Sequence, residues 1–150
     1  MNKYLGLDVH SSSCTLAVMN EAGKRLGCQV VDTNGALLVD AVRGVAGKRF
    51  LLKEEGTQSA WLYEVLHPHV EKLVVMGINR GDNNLQRNKT DQDDAFLLAE
   101  KMRTNSYGIA VFKDLGSFRG LKLSAKTYGF LVQDAARAKN RAKAHFRPSE

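Results

Sequence analysis

The run Tyr4-Leu5-Gly6-Leu7-Asp8-Val9 limits the fold more than any other segment. Its apolar Leu5, Leu7 and Val9 alternate with Gly6 and Asp8, the period of a strand with one face in a core and the other open to a site. Asp8 therefore stands near the strand's carboxyl end. A second strand is expected over residues 48–55, Lys-Arg-Phe-Leu-Leu-Lys-Glu-Glu, and it too finishes in acid before Gly56-Thr57 and a helix. In open α/β sheets ligands gather beyond the carboxyl ends of parallel strands, and neighbouring strands lie about 5 Å apart. Two such ends side by side bring their carboxylates within reach of one ion.

A helix is expected over residues 89–103, where Ala95, Leu98, Ala99 and Met102 recur at three and four. Thr90 suits the N-cap and Asp93 the reciprocal capping position three residues on. Asp91 and Asp94 share a face, whereas Asp93 points away from Asp91. Acids in a first helical turn also complement the helix dipole, so this pair gains meaning only together with Asp8 and the glutamate at the end of the second strand. Crowded carboxylates repel one another, and a hard divalent cation with oxygen preference, Mg2+ or Mn2+, neutralises them. Alternation does not choose between Glu54 and Glu55, since a bulge would exchange their faces.

The remaining segments read in the order βββαβαβα. Thr15 to Met19 and Arg25 to Val31 are strands joined by the turn Asn20 to Gly23. Gly35 to Val45 is a helix closed by Gly44 and Gly47; Trp61, Leu62, Val65 and Leu66 give a second helix its buried face; and Leu73 to Met76 is a fifth strand. This order suits an α/β fold, a five-stranded mixed sheet with helices on both faces. A right-handed crossover sets the Asp8 and Glu54 strands side by side. Gly77 to Asn88 is polar, carries Arg80 and Arg87, and is expected to loop over the acidic site and touch nucleic acid; Lys89 either holds a phosphate or solvates the helix entry. His10 either approaches the metal site or serves as a hydrogen-bonded turn residue. His67 and His69 flank Pro68 as helix-end caps rather than zinc ligands, because no partner ligands complete a site.

Charge divides the chain. Residues 1–114 hold 14 Lys/Arg against 14 Asp/Glu, whereas residues 115–150 hold 8 against 2 and so carry the whole net charge of +6. From Phe118, Leu121, Ala125, Tyr128, Val132, Ala135 and Ala142 follow three-four spacing, a long helix with a coiled-coil-like seam. Arg137, Lys139, Arg141, Lys143 and Arg147 crowd its end. Such a helix is expected to pair with a second copy, while its basic end either holds phosphates without reading sequence or is the solvated face of a packing helix. At 43% apolar residues the chain supports a core. It has no run of 18 apolar residues and no basic-then-apolar leader, so a cytoplasmic protein without a membrane span is expected. Cys14 and Cys28 read as small core residues rather than a disulfide.

Three stretches carry a resemblance: Tyr4-Leu-Gly-Leu-Asp8-Val-His10, Leu52-Lys-Glu54-Glu-Gly-Thr-Gln-Ser-Ala-Trp61-Leu-Tyr63, and Lys89-Thr-Asp91-Gln-Asp-Asp94-Ala-Phe-Leu-Leu-Ala99-Glu. They resemble the amino-terminal half of DEDD-type insertion-sequence transposases, and Tyr128 to Ala144 resembles that family's linking helix. The resemblance implies a RuvC-like, RNase H-like catalytic domain over residues 1–112, then a basic linking helix over 113–150. It carries the four acids of the family's name onto Asp8, Glu54, Asp91 and Asp94, with Glu54 preferred over Glu55. It also implies Mg2+ or Mn2+ as cofactor, DNA as substrate, a structured guide RNA as partner and homo-oligomers. Members of the family are longer, with a second domain bearing a nucleophilic serine; Ser149 matches no such motif, so a truncated product is expected, incomplete for transposition alone.

Two rivals belong to other classes. An actin- or sugar-kinase-like ATPase also opens with a strand ending in Asp, but its phosphate loop wants glycine where this chain has His10-Ser11-Ser12. The other is a non-catalytic remnant that dimerises through the 118–146 helix and binds nucleic acid.

Overall fold

A computed structural model of the protein describes residues 1–77, 90–111 and 119–145. The expected nucleic-acid contacts Arg80, Arg87 and Lys89, together with Phe118 and Arg147, lie outside the described residues. The chain divides into two compact units, Met1–Lys113 and Asp114–Glu150.

The first unit is a sheet of five strands: β1 Asn2–Val9, β2 Ser13–Asn20, β3 Arg25–Asp32, β4 Lys48–Glu54 and β5 Lys72–Met76. Their spatial order is β3-β2-β1-β4-β5. The first three form an antiparallel meander, and β4 and β5 add to β1 in parallel. Helices α1 Gly35–Arg43, α2 Ser59–Leu66 and α3 Asp91–Thr104 connect or follow them, and a single 3-10 turn, His67–His69, ends α2. Antiparallel meander, parallel extension and helices on both faces make the five-stranded mixed sheet expected from the order of elements, in the RNase H-like α/β arrangement that the resemblance implies.

Strand alternation sorts the apolar residues into two cores. Leu5, Leu7, Leu16, Leu51 and Val75 point to the face covered by α1 and α2, where they meet Leu38, Val42, Leu62 and Leu66. The other face is covered by α3: Ala17 and Met19 pack on Ala95, Phe96 and Ala99, while Leu52, Val74 and Met76 pack on Leu98 and Met102. Asn34 caps α1 through its side-chain oxygen, and Thr90 caps α3 by accepting from the Asp93 N–H. The Thr90 hydroxyl also donates to the Asp93 carboxylate at 2.9 Å, so Asp93 has the structural task expected for it. Cys14 is buried and Cys28 half-buried, both as free thiols; burial pushes both thiols up and keeps them protonated.

One reading changes. Trp61, expected in the core, is 36% exposed. The buried stripe of the short α2 is Ser59, Leu62 and Leu66, and Trp61 falls beside it, covering Gly35 at the start of α1. His67 is the C-cap of α2, its backbone N–H donating to the Tyr63 carbonyl, and its ring stacks on Tyr63 at 5.0 Å.

The second unit contains α4, Arg119–His145. Leu121, Tyr128 and Leu131, which fall at heptad spacing, are 68%, 70% and 63% exposed. Among the described residues no helix is long and apolar enough to cross a membrane.

Gly6 determines how close α3 lies to the sheet. A Cβ placed on it would collide with the backbone carbonyl of Ala95 and crowd the Ala99 N–H. Neither atom belongs to a flexible side chain, so α3 itself must move. Gly6→Ala is expected to cost about 1–3 kcal/mol of stability in chemical denaturation, as overpacking does, despite the better strand propensity of alanine.

Candidate metal centre

Asp8 follows Gly6 by two, so it stands on the same face of β1, next to the place where α3 comes closest. The paired register of β1 and β4 runs without a shift through Gly6↔Leu52 and Leu7↔Lys53, which makes Asp8 and Glu54 the next residues of adjacent parallel strands. Leu52 packs against α3, and alternation puts Glu54 on that same face. Asp8, Glu54 and Asp94 line one small cavity of about 130 Å³ with Leu97, Leu98 and Lys101. Glu55 does not line it, but borders a second cavity that also reaches Asp8, His10 and Glu54.

On the other side of Asp8 a tighter group forms. The His10 Nε2 lies 3.1 Å from Asp8 Oδ2 and 3.6 Å from Asp91 Oδ2. Donor atoms of Asp8, His10 and Asp91 all fall within 4.8 Å of one another. Oxygen ligands bound at about 2.1–2.4 Å to one hard cation sit roughly 3–4.5 Å apart, so the spacing of this group is close to that of a coordination shell. Asp8 belongs to both groupings. The helix start supplies Asp91 to one and Asp94 to the other, while Asp93 turns toward Arg25, 3.8 Å away.

The electrostatics fit a cation. Burial pushes the Asp8 carboxyl above the usual carboxylate range; the charge and hydrogen bond of His10 pull it down, and repulsion from Asp91 and Asp94 pushes it up again. A bound divalent ion reverses the balance by favouring the ionised form. The residues present therefore suit a hard divalent cation by donor chemistry, spacing and charge.

Two residues near the centre had no expected role. Lys53 is 1% exposed, and its ammonium donates to the Glu54 carbonyl and to Ser59 Oγ, each at 2.6 Å. Ser59 Oγ in turn accepts from the Gly56 N–H at 2.7 Å. Burying an ammonium is costly unless it is hydrogen-bonded, and these bonds fasten the end of β4 to the start of α2, where Glu54 emerges. The signal in the sequence was parity: Lys53 shares the face of Leu51, a core position. Lys101 reaches the Asp8 cavity because it lies seven residues, about two helical turns, beyond Asp94 on α3.

An acid with a raised folded-state pKa keeps its proton more readily folded than unfolded, so its stability contribution is full at low pH and is lost as pH rises through the ordinary carboxylate range to the raised value. Asp8→Asn is therefore expected to raise the melting temperature of the metal-free protein at pH 7. The gain should shrink below the ordinary carboxylate range, as thermal denaturation in chelator across pH will show.

Outside this structure, a family model described as transposase, of the DEDD insertion-sequence type, matches residues 5–148. No curated protein is significantly similar to the chain. The match takes in β1 from Leu5 on with Asp8, β4 with Glu54, the start of α3 with Asp91 and Asp94, and all the described length of α4. A likeness covering nearly every residue, over an RNase H-like sheet, goes beyond the acidic motifs alone. The chain belongs to the DEDD-type insertion-sequence transposases, whose work is DNA transposition.

Proposed function

We propose that Asp8, Glu54, Asp91 and Asp94 are the catalytic, metal-holding residues of a domain over residues 1–112 that cleaves and transfers DNA strands. The observation that supports this most is that one carboxylate, Asp8, borders acids from a second strand and from a helix start at the same time. When bound, one or two Mg2+ or Mn2+ ions polarise the scissile phosphate and stabilise charge on the attacking and leaving oxygens. Asp8 is the shared ligand, fixed by the strand end. Glu54 faces it from β4, anchored through the Lys53 and Ser59 bonds to its own carbonyl and neighbours. Asp91 and Asp94 close the centre from α3, whose approach Gly6 permits. No side chain is required as the base.

The segment 113–150 is proposed as the element for assembly and backbone contact. Exposed apolar residues on α4 suit pairing with a second copy in a coiled coil. Arg137, Lys139, Arg141 and Lys143, exposed toward the end of α4, suit phosphate contacts, as do Arg80, Arg87 and Lys89 of the first unit by charge. By resemblance, a structured RNA joins the DNA as partner.

The reading is tested with the purified chain, branched DNA and Mg2+. Metal-dependent nicking is expected, and Asp8→Ala should lower it by roughly 100-fold or more, since even outer partners of metal ligands cost 10–100-fold when removed. Salt-sensitive binding of DNA with no cleavage in Mg2+ or Mn2+ would contradict it and favour a non-catalytic binding and dimerisation module.

A further inference from the structure

The proposed ion ligands are all oxygens, yet an imidazole nitrogen stands between two of them. His10 Nε2 is 3.1 Å from one oxygen of Asp8 and 3.6 Å from one of Asp91, and these three atoms are the tightest cluster of metal-ligating groups among the described residues. The turn that carries His10 is held in place. The His10 N–H donates to the Ser13 carbonyl at 2.9 Å, and the Thr33 N–H donates to the Ser12 carbonyl at 3.0 Å. The Thr33 hydroxyl donates to the His10 carbonyl at 3.1 Å. All three bonds use the backbone of the His10–Ser13 turn, so the imidazole itself is left to serve the centre.

We propose that His10 is a direct nitrogen ligand. Asp8, His10 and Asp91 then form one ion site, and Asp8, Glu54 and Asp94 a second. This deepens the metal-dependent reading above and rests on it. The two sites differ chemically. The second offers carboxylates alone, which suit Mg2+, Ca2+ or Mn2+; the first adds an imidazole, which tilts it toward transition ions and away from Mg2+. The half-exposed ring turns Nε2 toward both carboxylates, and coordination through that atom uses its lone pair, with the ring proton on Nδ1.

Pulsed EPR of the full chain loaded with Mn2+ tests this without reference to catalysis. Nitrogen-14 hyperfine coupling to the bound Mn2+ is expected in the wild type, absent in His10→Gln and retained in Glu54→Gln. Because the chain has four histidines, the substitution ties the coupling to one of them. His10→Gln should also weaken Mn2+ binding by roughly tenfold or more, with an unchanged circular dichroism spectrum. Mn2+ that binds, is lost in Asp8→Asn, and shows no nitrogen coupling would overturn the His10 assignment and leave the carboxylate centre intact. Mn2+ that fails to bind, or that binds equally well to Asp8→Asn, would overturn the assignment and the centre together.

Discussion

The acids of the proposed centre come together because a helix backbone lies directly on a strand backbone. At Gly6 no side chain separates β1 from α3, and the Ala95 carbonyl and Ala99 N–H occupy the space a Cβ would fill. Helix and strand usually keep about 10 Å between axes when side chains intervene; small residues at Gly6, Ala95 and Ala99 close that gap. Two residues further along β1, at the same face, Asp8 meets the first turn of the helix. A helix held at ordinary distance would leave Asp91 and Asp94 remote from the strand ends.

That closeness has an electrostatic cost, and the cost is informative. Asp8 is partly withdrawn from water and surrounded by like charge, so its ionised form is disfavoured in the metal-free fold. Proteins of ordinary stability hold only about 5–15 kcal/mol in reserve, and a carboxylate cluster with no structural task would be a poor use of it. Burial is the main cause, and His10 offsets part of it by its charge and its hydrogen bond to Asp8. Asp93, by contrast, is bonded to the Thr90 cap and has an arginine neighbour, contacts that serve the fold.

Much of the fold was legible because it follows local rules. The alternation in β1, the Asn20–Gly23 turn, the Thr90 cap and the 95/98/99/102 stripe are each written within a few residues, and right-handed crossover placed β4 beside β1. What escaped depends on contacts remote in the chain. Gly6 reads as an ordinary strand interruption until α3 is laid upon it. Trp61 has the size of a core residue, yet the eight residues of α2 present only a narrow buried stripe. Lys53 looks like a polar step in a strand, although its parity with Leu51 places it inside. Which of Glu54 and Glu55 shares the face of Asp8 depends on whether the β1–β4 ladder carries a bulge; its register is unbroken through Leu7↔Lys53, and Glu54 lines the cavity beside α3. The nearness of His10 to Asp91 requires the β1–β2 turn and the helix start to meet, and no local pattern announces it.

The central claim is that acids from two strands and one helix share divalent ions through Asp8. Crystals soaked in Mn2+ and measured at the manganese absorption edge address it directly. The account predicts anomalous density within coordination distance of Asp8 and of Asp91 or Asp94. An empty centre, with Asp8 and the α3 acids splayed apart at saturating Mn2+, would contradict it.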